Sequence, residues 1–149
     1  MKKTLCLTHK VEPHASLFIQ YPEYYDKISE LELSEEKFDE IIVDYAHLIA
    51  GPDFMQTMYN LLTDDGVLDI TVPKAGTPCS FEDPFTTSFW REETFLYYQL
   101  GTHSLRRKEY GPTLRCAFSI DIGATQPDAK GSVWIRARCT KVPMEKLDG

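Results

Sequence analysis

Residues 38–73 constrain the fold most, because they read as a buried strand, a short helix and a second buried strand. Residues 41–43 are consecutive β-branched residues, which is typical of a strand covered on both faces. Pro52 suits the first position of a helix, where its missing N–H costs nothing. Gly66 is expected to end that helix in a left-handed cap, and a strand over 67–72 follows. The order predicts a parallel α/β sheet.

The segment before this unit predicts two short strands, at residues 4–7 and 17–19. Only nine or ten residues join them, which is close to the lower limit for a parallel crossover. Either this connection is an irregular loop, or the two strands do not form an ordinary strand-helix-strand pair. The acidic stretch over 21–36 suits a brief helix or a strand, and the sequence does not distinguish the two.

The segment after the unit begins with a long polar loop over 74–88. A helix is predicted over 91–100, with a glycine at position 101 as its stop. Apolar and polar residues then alternate over 114–122 and 133–140, and this period of two predicts half-covered strands. The connector between them suits a hairpin with a long loop, so the chain is expected to close with an antiparallel pair.

The length of 149 residues fits one domain, which we assign to 1–143, followed by a C-terminal tail over 144–149. No segment approaches the roughly 18–20 apolar residues that span a bilayer. The apolar run near the N-terminus is too short for the core of a signal peptide. We therefore expect a cytoplasmic protein that does not interact with membranes.

The net charge of −7 is unevenly distributed, with 5 basic and 13 acidic residues up to Gly66. An acidic front half repels phosphate backbones, so nucleic acid is not an expected partner. Two small basic groups lie in the later half and read as solvated faces. They are Arg106, Arg107 and Lys108, and Arg136, Arg138 and Lys141.

The four cysteines, at positions 6, 79, 116 and 139, form no CxxC pair. This spacing predicts buried or free thiols, and neither a disulfide framework nor a zinc site.

Four local motifs, together with this order of elements, resemble the small class I S-adenosylmethionine (SAM)-dependent methyltransferases. Residues 44–47 (DYAH) resemble the turn after a strand of that family, and 62–66 (LTDDG) its "LxPGG" turn. Residues 72–73 (VP) resemble the end of the next strand, and 83–95 resemble a downstream "DPxHxxxFxxxxF" stretch. The resemblance covers residues 38–142. It implies a compact Rossmann-like α/β fold, with parallel strands and a C-terminal antiparallel hairpin.

The resemblance places the cofactor beside Thr8, His9 and Gln20, and these positions depart from the family pattern. The family has a glycine-rich turn after its first strand, because glycine lets the backbone approach the cofactor. This chain has Thr8-His9-Lys10 there, and it has Gln20 where the family places an acid for the ribose hydroxyls. We interpret the cofactor site as degenerate and expect that the protein has no cofactor, although the fold implies SAM.

His47 and Asp44 are the candidate catalytic residues, because they follow a buried strand at its carboxyl end, where ligands bind in open α/β sheets. His47 could act as a general base that Asp44 orients, or it could simply pack beneath the following helix. Together with His9 and His14 they include metal-ligand types, but their spacing matches no ligand motif, so we expect no metal.

Four residues of the long loop and its end, Phe81, Asp83, Phe85 and Trp90, are the candidate substrate-pocket residues. Their aromatic side chains could line an apolar pocket, or they could belong to the core and close it.

Three functions follow from these observations. The first is a non-catalytic methyltransferase-like domain that acts by binding a protein or by assembling with copies of itself. The second is a divergent but active SAM-dependent methyltransferase. The third is a structural protein of a phage or another mobile element.

Overall fold

The computed structural model describes residues 2–8, 15, 17–20, 23–48, 53–99 and 116–143. The strands are β1 (Thr4–Thr8), β2 (Leu17–Gln20), β3 (Phe38–Asp44), β4 (Leu62–Pro73), β5 (Phe118–Ala124) and β6 (Trp134–Lys141). The helices are α1 (Tyr24–Ser34), α2 (Asp53–Leu61) and α3 (Glu92–Leu96), with single 3-10 turns at Ala46–Leu48 and Pro78–Phe81.

The six strands form one sheet in the order β2-β1-β3-β4-β6-β5. The first four are parallel, β6 is antiparallel to β4, and β5 is antiparallel to β6. The predicted α/β architecture with a C-terminal antiparallel pair is therefore confirmed. Strands β1 and β2 pair in parallel, with Leu5 opposite Leu17, and nearly all of the connection between them lies outside the described residues.

The described helices cover one face of the sheet. Alternate residues of each strand point to the same face, and one set in each strand joins a single apolar core with the buried residues of all three helices. The central strands contribute Leu5, Leu7, Ile41, Val43, Leu68, Ile70 and Val72, and the helices contribute Ile28, Leu31, Phe54, Met55, Met58 and Phe95 among others.

The opposite face is polar over β4, β6 and β5. Asp69 lies between Ile42 and Arg138 in register, and Thr71 lies between Asp44 and Arg136. Because Ile42 is on this face and stays partly exposed, the expectation that β3 is covered on both sides was wrong over the described residues.

Lys141 does not share a surface with Arg136 and Arg138, as the grouping in the sequence had suggested. Its Nζ donates to the carbonyl oxygen of Leu62 at 2.9 Å and lies 4.4 Å from the ring centroid of Tyr59. Burial lowers the pKa of this ammonium group, because the charged form loses hydration there. Only the two arginines remain on the polar face.

The expectation that Gly66 caps the helix was wrong. Helix α2 ends at Leu61, β4 begins at the next residue, and the left-handed residue in this region is Asp65, with φ of 64°. Glycine is needed at position 66 for another reason: a Cβ there would lie 2.8 Å from the carbonyl oxygen of Thr63.

Other boundaries differ from the expected ones by a few residues. The acidic stretch over 21–36 contains helix α1. Helix α3 is shorter than predicted, because the chain turns after Leu96 and Gln99 pairs with Phe118. Positions 100–101 and 114–115, the basic group at 106–108 and the tail at 144–149 lie outside the described residues.

All four cysteines are free and buried, as their spacing predicted. Within the described ranges, no helix is both long enough and apolar enough to cross a bilayer.

Candidate functional site

The carboxyl ends of β1 and β3 mark the place where a ligand is expected. The chain leaves β1 for β2 on one side, and the next strand, β3, pairs with β1 on its other side. Connections on opposite sides of a strand leave a crevice beyond the carboxyl ends, where open α/β sheets bind their ligands. Asp44 is the last residue of β3, and His47 lies in the 3-10 turn that follows.

Tyr45 has an unusual backbone conformation at this edge. Its φ of 67° is in the left-handed region, which a bulky residue seldom adopts and which costs roughly 1–3 kcal/mol. Its N–H donates to the carbonyl oxygen of Thr71 on the neighbouring strand at 3.0 Å. That bond fixes the turn, which leads the chain directly into the segment of His47.

Three aromatic rings meet above this turn. The ring of Tyr45 lies 5.8 Å from that of His47 and 5.7 Å from that of Trp134, and His47 and Trp134 are 6.5 Å apart. The interplanar angles are 67°, 77° and 73° in the same order. Trp134 is the first residue of β6, and the pairing of that strand with Pro73 of β4 brings it here.

The loop that follows β4 is held against this edge by the backbone of His47. The His47 carbonyl oxygen accepts hydrogen bonds from the N–H groups of Thr87 at 2.8 Å and Ser88 at 3.1 Å. The loop ends at Trp90, whose ring packs against Phe54 and Phe95 in the core. The loop is therefore tied to both the sheet and the helical layer.

These segments enclose an open groove of about 560 Å³, a volume within the range of small-molecule sites. It is lined by Tyr45, His47, Cys79, Glu82, Asp83, Pro84, Phe85 and Trp134. The carboxylate of Asp83 accepts a hydrogen bond from the N–H of Phe85 at 2.8 Å, which fixes the turn between them. Two smaller grooves adjoin this one and share Trp134.

The structure brings three of the predicted site residues to this groove: His47, Asp83 and Phe85. His47 is buried, whereas the ring of Phe85 is 77% exposed. Trp90 lies in the core, and Phe81 packs on Phe89 at the surface, with ring centroids 5.9 Å apart.

Asp44 is separated from Arg136 of the polar face by one intervening strand, β4. A hydrogen bond from Arg136 to Asp69 and the charge of Asp69 raise the pKa of Arg136, and the charge of Asp44 adds to this effect. Thr8 is buried at the end of β1 and faces Gln20 of β2 in register. His9 and His14 lie outside the described residues.

The sequence did not single out Tyr45, Glu82 or Trp134. Tyr45 was part of the quoted DYAH turn, and this bulky residue at the end of a predicted strand was the available signal. Nothing local pointed to Trp134, because only the strand register places it here. In the parts of the chain that the structure describes, no three His, Cys, Asp or Glu side chains form a metal-binding group.

No protein-family model matches the sequence, and no curated protein sequence matches it either. Solved structures do match. A candidate SAM-dependent methyltransferase from Listeria monocytogenes aligns over 95% of this chain and 92% of its own, with 13% identity and a TM-score of 0.52. The N-methyltransferase NodS from Bradyrhizobium japonicum aligns over 95% and 86%, with 13% identity and a TM-score of 0.51.

A phosphoethanolamine N-methyltransferase from Haemonchus contortus, solved with S-adenosylhomocysteine, aligns over 93% of this chain but only 36% of its own, with 8% identity and a TM-score of 0.51. At such low identity these likenesses concern the fold alone. The chain has the fold of the class I SAM-dependent methyltransferases, as the sequence motifs predicted.

Proposed function

We propose that this chain is a methyltransferase-fold protein that does not transfer methyl groups and that functions by binding another molecule at the carboxyl edge of its sheet. The observation that carries the proposal is the length of the connection between β1 and β2. Thr8 ends β1 and Leu17 begins β2, so eight residues join two parallel strands. A crossover between parallel strands usually needs a dozen or more residues.

This short connection occupies the place where the resemblance expects a cofactor turn and a helix. A glycine-rich turn brings bare backbone against the cofactor, and the helix behind it presents N–H groups to a ligand. Eight residues leave little length for both features.

The side chains at this position also fit an adenosyl cofactor poorly. Thr8 is extended and buried within β1, so its side chain occupies space that a glycine would leave open. Gln20, opposite Thr8, offers an amide where the family's carboxylate would accept two hydrogen bonds from ribose. We expect both differences from the family pattern to weaken cofactor binding.

The direct test is the thermal stability of the purified protein with and without 1 mM SAM, together with calorimetric titration. A ligand present at a hundred times its dissociation constant stabilises the folded state by about 2.7 kcal/mol. For a domain of this size that corresponds to a rise in Tm of roughly 5–10 °C. We expect no rise with SAM or with S-adenosylhomocysteine.

A rise of several degrees would overturn the proposal if Gln20→Ala removed it, because Gln20 is the candidate ribose contact. The matched control is Gln56→Ala, which changes a glutamine of helix α2 that bonds Asn60 at 3.0 Å, within its own helix. Loss of the SAM effect in Gln20→Ala but not in Gln56→Ala would assign the cofactor to its usual place in this fold.

The second candidate is a divergent active methyltransferase, and the groove favours it. His47, Tyr45 and Asp83 provide a base, a hydroxyl and a carboxylate at the edge where this fold reacts with substrates. NodS is an N-methyltransferase, so an amine is the substrate class to try first. Transfer of labelled methyl groups from SAM to an amine, abolished in His47→Gln, would establish this function and exclude the first.

A further inference from the structure

We infer that the groove at Tyr45 and Trp134 binds an alkylated ammonium group, by which we mean a nitrogen cation bearing methyl or methylene substituents. The inference deepens the proposed function and rests on it, because it names a chemical group for the binding that would replace catalysis. The groove is formed by the turn after β3, the loop after β4 and the start of β6. It therefore does not depend on the degenerate β1–β2 connection.

Tyr45 and Trp134 provide two aromatic faces at the groove, and the ring of His47 packs against both. A cation is attracted to the face of a Trp or Tyr ring when it lies within about 6 Å of the ring centroid. The centroids of Tyr45 and Trp134 are 5.7 Å apart, so one cation in the groove can be that close to both, whereas His47 is buried and supports the two rings. Because the rings are steeply inclined to each other, they form a corner rather than a flat stack.

Two carboxylates share the groove with these rings. Glu82 and Asp83 line the same groove as the three rings. The Glu82 carboxylate makes no hydrogen bond or ion pair with the described part of the chain, so it is available to a ligand. Their negative charges favour a cation and oppose a phosphate or a carboxylate ligand.

The basic residues near the groove do not cancel this preference. Arg136 lines a neighbouring groove that shares Trp134, but its guanidinium is bound to Asp69 by two hydrogen bonds. Lys130 lines another neighbouring groove, where Glu82 and Asp128 are also present. Neither basic side chain lines the groove that contains Tyr45 and His47.

The corner is preorganised, which reduces the entropy lost on binding. Tyr45 is held by its hydrogen bond to Thr71 in a strained conformation. The backbone of Trp134 is held by two hydrogen bonds to Thr125. The backbone N–H of Trp134 donates to the hydroxyl of Thr125 at 3.0 Å, and the Trp134 carbonyl oxygen accepts from the backbone N–H of Thr125 at 2.9 Å. A strained residue beside an open groove is typical of a functional site.

The test is a titration with choline chloride, followed by NMR of the two tryptophan indole N–H signals. We expect the Trp134 signal to shift progressively and saturate. The Trp90 signal is the internal control, because that residue is buried in the core and should not move. Assignment of the two signals comes from Trp134→Phe.

The charge requirement is tested with the neutral isostere of choline, in which a quaternary carbon replaces the nitrogen. It should bind about 2–30-fold more weakly, which is the factor that corresponds to a cation–π contribution of roughly 0.5–2 kcal/mol. Equal affinity for choline and for the neutral isostere would mean that the groove recognises only apolar surface, and it would overturn the inference. Absence of any saturable Trp134 shift at millimolar choline would overturn it as well.

Two variants connect the binding to the named residues. Glu82→Gln and Tyr45→Gly should each weaken choline at least about threefold. Glu93→Gln is the matched control. Glu93 is an exposed carboxylate on helix α3, and its Oε2 forms an ion pair with Nε of Arg91 at 3.6 Å. A loss in the control equal to that in Glu82→Gln would assign the effect to net charge and contradict the inference.

Peptides with one trimethylated or one unmodified lysine identify the source of the cation. Tighter binding of the trimethylated peptide than of choline indicates a protein side chain, whereas tighter binding of choline indicates a free metabolite. The SAM titration is read separately. If neither choline nor SAM binds, only the inference about the ammonium group is overturned. If SAM binds, the proposed function is overturned, and the result of the choline titration is unaffected.

Discussion

Arg136 holds the carboxylate of Asp69 through two hydrogen bonds across the β4–β6 pair, with distances of 3.0 and 2.7 Å. The Asp69 side chain is 8% exposed, and the Arg136 side chain is 71% exposed. A second guanidinium, that of Arg138, lies 3.9 Å from the same carboxylate. One buried acid therefore organises the basic side chains of the polar face, which keeps two adjacent arginines from repelling each other.

Replacement of Asp69 by alanine should lower the free energy of unfolding by about 1–2 kcal/mol, because hydrogen bonds to charged groups contribute roughly 1.5–3 kcal/mol and Arg136 can be partly rehydrated. Urea denaturation at pH 7 measures the change. Asp121→Ala is the control: this exposed acid on β5 lies opposite Arg138 in register, and its loss should stay within about 0.5 kcal/mol. Equal losses in the two variants would contradict the bridging role of Asp69.

Gly66→Ala should destabilise the protein by roughly 1–3 kcal/mol, the usual effect of an added methyl group in a filled space. Its Cβ would lie 2.8 Å from a backbone oxygen of Thr63 and 3.0 Å from a methyl carbon of Leu62. Gly123→Ala on β5 is the matched control, because nothing lies within 4 Å of a Cβ there. Denaturation curves of the two variants should differ clearly. A Gly66→Ala protein as stable as Gly123→Ala would mean that β4 shifts to make room.

The left-handed residues Glu35 and Tyr45 should respond differently to replacement by glycine. Glu35 ends helix α1 with φ of 59°, a position where glycine is preferred, so Glu35→Gly should stabilise the protein by about 0.5–1 kcal/mol. In Tyr45→Gly the relief of backbone strain is offset by loss of the ring contacts with His47 and Trp134.

Thermal denaturation should therefore show a gain for Glu35→Gly and little change for Tyr45→Gly, whose defect should be in choline binding. A large gain for Tyr45→Gly would mean that the relief of backbone strain exceeds the ring contacts. A large loss for Tyr45→Gly together with no gain for Glu35→Gly would mean that the left-handed conformation costs little in this protein, and it would remove the argument that Tyr45 is strained for a functional reason.

The fold could be predicted from the sequence because its signals are local. The β-branched run at 41–43 and the alternation in β6 identify strands through side-chain periodicity alone. The boundaries were less predictable where tertiary contacts decide them. Gly66 looked like a cap, but close contact with Thr63 explains it, and β4 begins at Leu62 because it pairs with Phe38 across a bulge.

The candidate site was only partly predictable, because it depends on strand register. His47 and Asp83 stood out as polar residues after a strand and in a long loop, and both line the groove. Trp134 reaches the groove through the pairing of β6 with β4, and a register shift of one residue would turn its ring to the other face. No local pattern contains that information. The exposed ring of Phe81 and the buried ring of Trp90 illustrate the same point, since both were equally aromatic loop candidates.

Asp128 should make the stability of the β5–β6 connection depend on pH. The N–H groups of Ser132 and Lys130 each donate to its Oδ1 at 2.9 Å, and these bonds lower the pKa of the carboxyl group in the folded state. A carboxyl group with a lower pKa in the folded than in the unfolded state stabilises the fold above its unfolded value of 3.8. That stabilisation is lost as the pH falls through the folded pKa.

Asp128→Asn should therefore be less stable than the wild type at pH 7, and the difference should shrink as the pH falls below about 4, because the wild-type carboxyl group becomes neutral there. Urea midpoints measured from pH 7 down to pH 2.5 give the two profiles. Asp121→Asn, an exposed acid on the adjoining strand, should follow the wild-type profile throughout. A difference between Asp128→Asn and the wild type that stays constant over this range would show that the asparagine changes the turn geometry, and that the charge of Asp128 contributes nothing to holding it.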